Sequence, residues 1–197
     1  MRAPRKRVRN PDASRKALVD AAAALFNEVG FHGTDSNRIA RRAGYAPGTF
    51  YVHFADKTEI FLAVYEHWVQ TEWDGLERAL QAGGPAARLR ATLAKETLEH
   101  HRRWRGFRAS LRALTATDER VHRVRVEQRG RQVAALAKLT AGRGGKRPAP
   151  TRAALWAILL EFEVLCDGVS EGDAKALGIP EAEVLARLAE RLTELVD

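Results

Sequence analysis

From Ser14 onward the apolar residues Leu18, Ala21, Ala22, Leu25, Phe26 and Val29 recur in steps of three and four. That spacing predicts one face of an amphipathic helix. Gly30 stands where a glycine commonly ends a helix. A second, short helix is expected to hold Ile39, Ala40 and Ala43, with Thr34 or Asp35 as its cap and Gly44 as the break after it. A third short helix starts near Ala46, where Pro47 suits a first turn, and carries Thr49, Phe50, Tyr51 and His53. Asp56 can cap a fourth helix, with Glu59 three residues on completing a capping box, and the pattern then runs to Leu80.

Gln81-Ala-Gly-Gly-Pro85 interrupts the periodicity. Longer helical patterns follow over residues 86–104, 106–115 and 118–141, then a Gly/Lys/Pro-rich loop over 142–150. Two more occupy 151–170 and 181–196, joined by a glycine-bearing link that ends at Pro180. The reading is all-α, with about nine helices and no solenoid repeat. The domains expected are an arm over 1–13, a three-helix head over 14–60 and a second helical domain over 61–197.

Composition agrees: the chain is 45% apolar and 29% charged, which excludes disorder by depletion of apolar residues. The formal net charge of +8 points to a polyanionic partner. Residues 1–16 hold seven basic side chains against the single acid Asp12, the pattern of an arm that touches phosphates or a groove, or of a solvated tail. Cys166 is the only cysteine, so neither an intrachain disulfide nor a cysteine-based zinc site can form. With no apolar stretch behind the basic start and no uncharged span of membrane length, a cytoplasmic protein without a membrane partner is expected.

The short second and third helices carry the chemistry. A helix-turn-helix needs a glycine in the turn, a small residue at the crossing and apolar inner faces. Gly44, Ala40 and the set Ile39, Ala43, Tyr45 and Phe50 fill those roles. Pro47, Gly48, Thr49, Val52 and His53 then face outward, small and polar enough to sit in a major groove. The wider run from Ala22 to Phe31, Thr34, Ile39-Ala-Arg-Arg-Ala-Gly-Tyr-Ala-Pro-Gly-Thr-Phe-Tyr-Val-His-Phe54 and Lys57-Thr-Glu59 closely resembles the N-terminal domain of the tetracycline-repressor (TetR) family.

The resemblance covers residues 14–65 and implies a DNA-binding head on a ligand-binding and dimerisation domain. It implies phosphate or base contacts for Thr49, Tyr51, His53 and Lys57, a groove-floor position for Pro47, Gly48 and Val52, and positions near the DNA backbone for Thr34, Ser36 and Asn37. Two residues depart from the family pattern: Asp35, where a neutral Thr or Ser is common, and Ser36, where the residue is often apolar. The third helix also lacks the Arg, Asn and Gln that make the strongest bidentate base contacts.

In the second domain, Ala153–Cys166 is apolar nearly all round, which argues for a helix facing the core on one side and a second copy on another. A homodimer is expected through the helices at 151–170 and 181–196. Candidate walls for an unknown small-molecule effector are Trp68, Trp104, Phe107, Leu111, Trp156 and Phe162, although side chains of this kind are more often simple core than ligand wall. Residues 100–148 hold 14 Lys and Arg against 3 acids, and 161–197 hold 3 against 10. The two segments can pair with each other, or Arg105, Arg108 and Arg112 can hold an anionic effector. No catalytic motif, metal site or cofactor site is present in the sequence, so no enzyme and no cofactor is expected. Such a chain reads as a sequence-specific repressor on a pseudo-palindromic operator. The alternatives are a DNA-binding dimer without an effector and a general nucleoid-type binder.

Overall fold

A computed structural model describes residues 11–141 and 149–196. The basic segment at 1–10 and most of the loop at 142–150 lie outside the described residues. Among those described there is no strand, and nine helices have seven residues or more. They are α1 (Pro11–Val29), α2 (Ser36–Arg42), α3 (Pro47–His53), α4 (Lys57–Ala82), α5 (Ala86–Arg103), α6 (Arg105–Thr117), α7 (Glu119–Ala141), α8 (Arg152–Glu171) and α10 (Glu181–Arg191). Two single turns, α9 (Asp173–Ala176) and α11 (Thr193–Val196), complete the order. The chain divides into two units, up to His67 and from Trp68 on, the boundary falling within α4.

In the first unit, α1 begins three residues earlier than the periodicity suggests, inside the stretch assigned to the arm. Pro11 has the backbone angle of a first turn, Asp12 complements the helix dipole, and the Ser14 hydroxyl donates to the Pro11 carbonyl. The core is aromatic. Phe26, Phe31 and Phe61 meet at centroid distances of 5.2–5.8 Å, two of the three pairs edge to face. Such pairs add about 0.5–1.5 kcal/mol each beyond their burial. Leu18, Ala22, Leu25, Ile39, Ala40, Phe50 and Ile60 are also buried.

At the start of α4 the expected capping box forms, shifted by one residue. Asp56 accepts from the Glu59 amide at 2.7 Å, while the Glu59 carboxylate accepts from the amide of Ala55 rather than of Asp56, at 2.6 Å.

The second unit is a bundle whose core joins α5, α7, α8 and α10 through Leu93, Leu98, Val133, Leu136, Leu155, Ile158, Phe162, Leu188 and Leu192. Thr151 caps α8, accepting from the Ala154 amide, and Gly172 ends it in the left-handed region at φ 98°. The last helix is not continuous over 181–196. The Thr193 hydroxyl bonds back to the Glu190 carbonyl, and the chain re-enters a separate turn beyond Leu192. None of the described helices is long and apolar enough to cross a membrane.

Candidate nucleic-acid interface

The turn between α2 and α3 is built by local hydrogen bonds. Asp35 caps α2, its carboxylate accepting from the Arg38 amide at 2.8 Å, which accounts for an acid at this position. At the other end, the Gly44 amide donates to the Arg41 carbonyl at 3.0 Å and the Tyr45 amide to the Ala40 carbonyl at 2.9 Å. That pair is a Schellman motif, and it requires the positive φ of 79° that Gly44 adopts. Ala46 then leads into α3 with Pro47 in its first turn. Ile39, Ala40 and Phe50, all fully buried, hold α2 and α3 against the unit's core.

With Phe50 turned inward, Pro47, Gly48, Tyr51 and Val52 turn out. Tyr51 is 60% exposed and Val52 74%, which puts an aromatic and an aliphatic side chain next to each other in solvent. The Tyr51 hydroxyl lies 2.8 Å from the Ser36 hydroxyl, so α2 orients it. Thr49 is half-buried, and Asn37 is exposed on α2. Gly48 has an ordinary helical backbone, and a Cβ placed on it would meet nothing within 4 Å. Nothing inside the chain requires a glycine there.

Three candidates face inward. Thr34 is buried, and its hydroxyl finds no hydrogen-bond partner among the described residues. Lys57 sends its ammonium to the Phe31 and Thr34 carbonyls at 2.8 and 2.9 Å and over the Phe31 ring at 4.2 Å, pinning the α1–α2 turn to the start of α4. Burial lowers the Lys57 pKa, with the Asp35 carboxylate working against that shift. His53 is half-buried, its Nε2 lying 2.7 Å from the Ser14 hydroxyl on α1. Alongside, the Arg15 guanidinium stands over the Phe54 ring at 5.2 Å. The outward face of α2 also bears Arg38 and Arg41, which the sequence reading passed over. Their spacing from the inward Ile39 and Ala40 was the available signal.

In the second unit, Trp68, His100, Trp104 and Phe107 form a run of ring contacts at 5.3–6.2 Å, and Leu111 is buried nearby in sequence on α6. Phe162 is in the bundle core, and Trp156 is 51% exposed on α8. The charge asymmetry resolves into internal pairs. Arg108, 2% exposed, donates to Asp167 through Nε at 2.5 Å and Nη2 at 2.8 Å, and to Glu163 at 2.9 Å, while standing over the Trp68 ring at 4.8 Å.

Arg112 bridges Asp167 and Glu171, and Arg125 and Arg129 both bond Glu163. His101 lies 3.0 Å from Asp167 and 3.5 Å from Glu72. The arginines hold the Asp167 and Glu163 carboxyls below the ordinary range despite the opposing effect of burial. Arg108 and Arg112 are therefore partnered by the chain's own carboxylates. Burial pushes His100 down to about 4 and the Cys166 thiol up to about 12. Among the described residues, no group of three or more His, Cys, Asp or Glu could hold a metal ion.

Residues 18–64 match the family model for bacterial regulatory proteins of the tetR family. The chain is 36% identical over 83 residues to the HTH-type transcriptional regulator BetI of Serratia proteamaculans, covering 41% of this chain and 42% of that protein. It is 36% identical over 70 residues to the HTH-type transcriptional activator FasR of Mycolicibacterium smegmatis, covering 36% and 32%. The matched stretch thus spans less than half the length of these curated relatives.

Likeness in fold extends further. A TetR-family regulator from Syntrophomonas wolfei superposes with TM-score 0.73 at 14% identity, over 95% of this chain and 97% of that one. The fatty acid degradation regulator FadR of Bacillus halodurans does so with TM-score 0.66 at 15% identity, over 96% and 97%. The head, residues 18–64, matches the tetR family of bacterial regulatory proteins in sequence, and the whole chain resembles regulators of that family in fold.

Proposed function

We propose that this chain is a sequence-specific DNA-binding transcriptional regulator. It binds a pseudo-palindromic operator as a homodimer, acts as a repressor and releases DNA on binding a small-molecule effector in its second unit. The observation that carries the DNA reading is the outward face of α3. Tyr51 and Val52 are exposed and Gly48 leaves its backbone bare, on a helix fixed by a buried Phe50 and a Schellman turn. A bare backbone at the start of a helix lets the amides and dipole approach phosphate closely. Asn37, Arg38 and Arg41 add donors from α2.

We place homodimerisation at α8 and α10; for α8 the support is the row Trp156, Leu160 and Val164, which recurs every fourth residue and is exposed at each position. Two recognition helices related by a two-fold axis would enter successive major grooves about 34–36 Å apart. The effector would act by favouring a state with a different separation. Its class stays open. The relatives' names that mention fatty acid metabolism belong to proteins matched in the head or in fold alone.

Footprinting on the DNA upstream of the protein's own coding region tests the reading. Protection of two half-sites one helical turn apart, overlapping a promoter, is expected. A footprint upstream of the promoter would make the protein an activator, the activity named for one relative. Equal affinity for random DNA at physiological salt would replace the reading with a nucleoid-type binder.

A further inference from the structure

Trp156, Leu160 and Val164 on α8 are 51%, 36% and 68% exposed. A second outward row runs along α7, where Val126 is 58% exposed and Gly130 and Ala134 follow at the same four-residue spacing. The two rows meet at an open cleft of about 230 Å³ lined by Arg129, Gly130, Val133, Arg152, Ala153 and Trp156. Gly130 lies in the interior of α7, where glycine is the poorest helix former after proline. A Cβ there would meet nothing within 4 Å, so no contact within the chain excludes a larger residue. Arg129 has its guanidinium held by the Glu163 carboxylate, and the exposed Arg152 stands at the cleft beside the apolar Val133, Ala153 and Trp156.

We infer that this cleft receives Trp156 of a second copy of the chain, so that α7 as well as α8 forms the self-association face; the inference rests on the homodimer reading. Three features select that occupant. Trp156 itself rims the cleft, so a two-fold axis passing beside it would carry Trp156 of each copy to the cleft of the other and make the contact twice. The cleft is continuous with the α8 row that already needs cover. The face also gains area: three side chains on one helix fall short of the ~800 Å² per partner of a standard interface, and a second helical row widens it. By contrast, α10 presents Glu183, Ala186, Arg187 and Glu190 outward, with no large apolar side chain exposed on it.

Sedimentation equilibrium of the full chain, with Gly130→Leu and Trp156→Ala beside the wild type, tests the inference. Both variants are expected to raise the dimer dissociation constant at least 100-fold, and the double variant to lose no more than the worse single one. Gly130→Leu should keep full helicity by circular dichroism, since its side chain enters open space. If it misfolds, Gly130→Ala carries the same test, with a smaller loss expected. Wild-type dimerisation by a folded Gly130 variant overturns the cleft contact. If Trp156→Ala still dissociates in that case, the homodimer reading survives it. A wild-type chain that stays monomeric at tens of micromolar overturns both.

Discussion

Gly48→Ala separates folding from DNA binding, because the two readouts move in opposite directions. Gly48 sits in the first turn of α3 with an ordinary helical backbone, and an added Cβ meets nothing within 4 Å. Alanine there restricts the unfolded chain without strain in the folded one, which stabilises by about 0.4–1 kcal/mol. For a chain of this size that corresponds to a rise of about 1–4 °C in Tm. At the interface the same methyl occupies the space that lets backbone amides approach the DNA. A loss of about 1.4 kcal/mol per half-site is tenfold, and two half-sites in one dimer make it about 100-fold. Thermal unfolding gives the first quantity, and fluorescence anisotropy with operator DNA at fixed salt gives the second. Unchanged affinity in a variant with raised Tm would refute the docking of α3 by its first turn. A lowered Tm would refute the reading of the space around Gly48.

Tyr51→Ala is expected to abolish operator binding in a gel shift while changing stability by less than about 0.5 kcal/mol, because the ring is mostly exposed; retained binding would remove α3 as the reading helix. His100 is held neutral by burial, so the unfolded chain takes up a proton below its ordinary value of 6.5 before the folded chain does at about 4. Stability should therefore fall by on the order of 2–3 kcal/mol as pH drops through that window. Urea titrations of His100→Gln should show that fall removed, and an unaltered pH profile counts against it. Below about pH 4 a separate loss is expected as the depressed Asp167 and Glu163 carboxylates protonate. Arg108→Met should lower the urea-unfolding free energy by about 3 kcal/mol, the lower end for breaking a buried pair, since Asp167 and Glu163 each keep another arginine. A loss under about 1 kcal/mol would mean the network adds little to the fold.

Most of the helical plan was legible because it is local. The three-and-four spacing of apolar residues, Gly44 in the turn, Pro47 in a first turn and Asp56 with Glu59 all act within a few residues of themselves. What escaped the sequence depends on residues far apart along the chain. The partner of His53 is Ser14, 39 positions away, and the partners of Lys57 are carbonyls 26 and 23 positions away. No periodicity encodes such contacts. The opposed charges of residues 100–148 and 161–197 were visible as totals, but which arginine meets which carboxylate is decided by the packing of α6 and α7 on α8. The break before Thr193 was hidden because the apolar pattern continues through it.

The arginine and carboxylate network in the second unit also constrains how this protein can change over generations. Joint replacement of such a group by apolar residues of similar volume can be neutral or even stabilising, whereas removal of one member strands a charge among buried neighbours. Substitutions arise one at a time, and members of one network do not contribute additively. A single step away from Arg108, Glu163 or Asp167 is thus expected to pass through a less stable intermediate. The trio is entrenched by its neighbours, and new ligand chemistry in this unit would evolve more readily around it than through it.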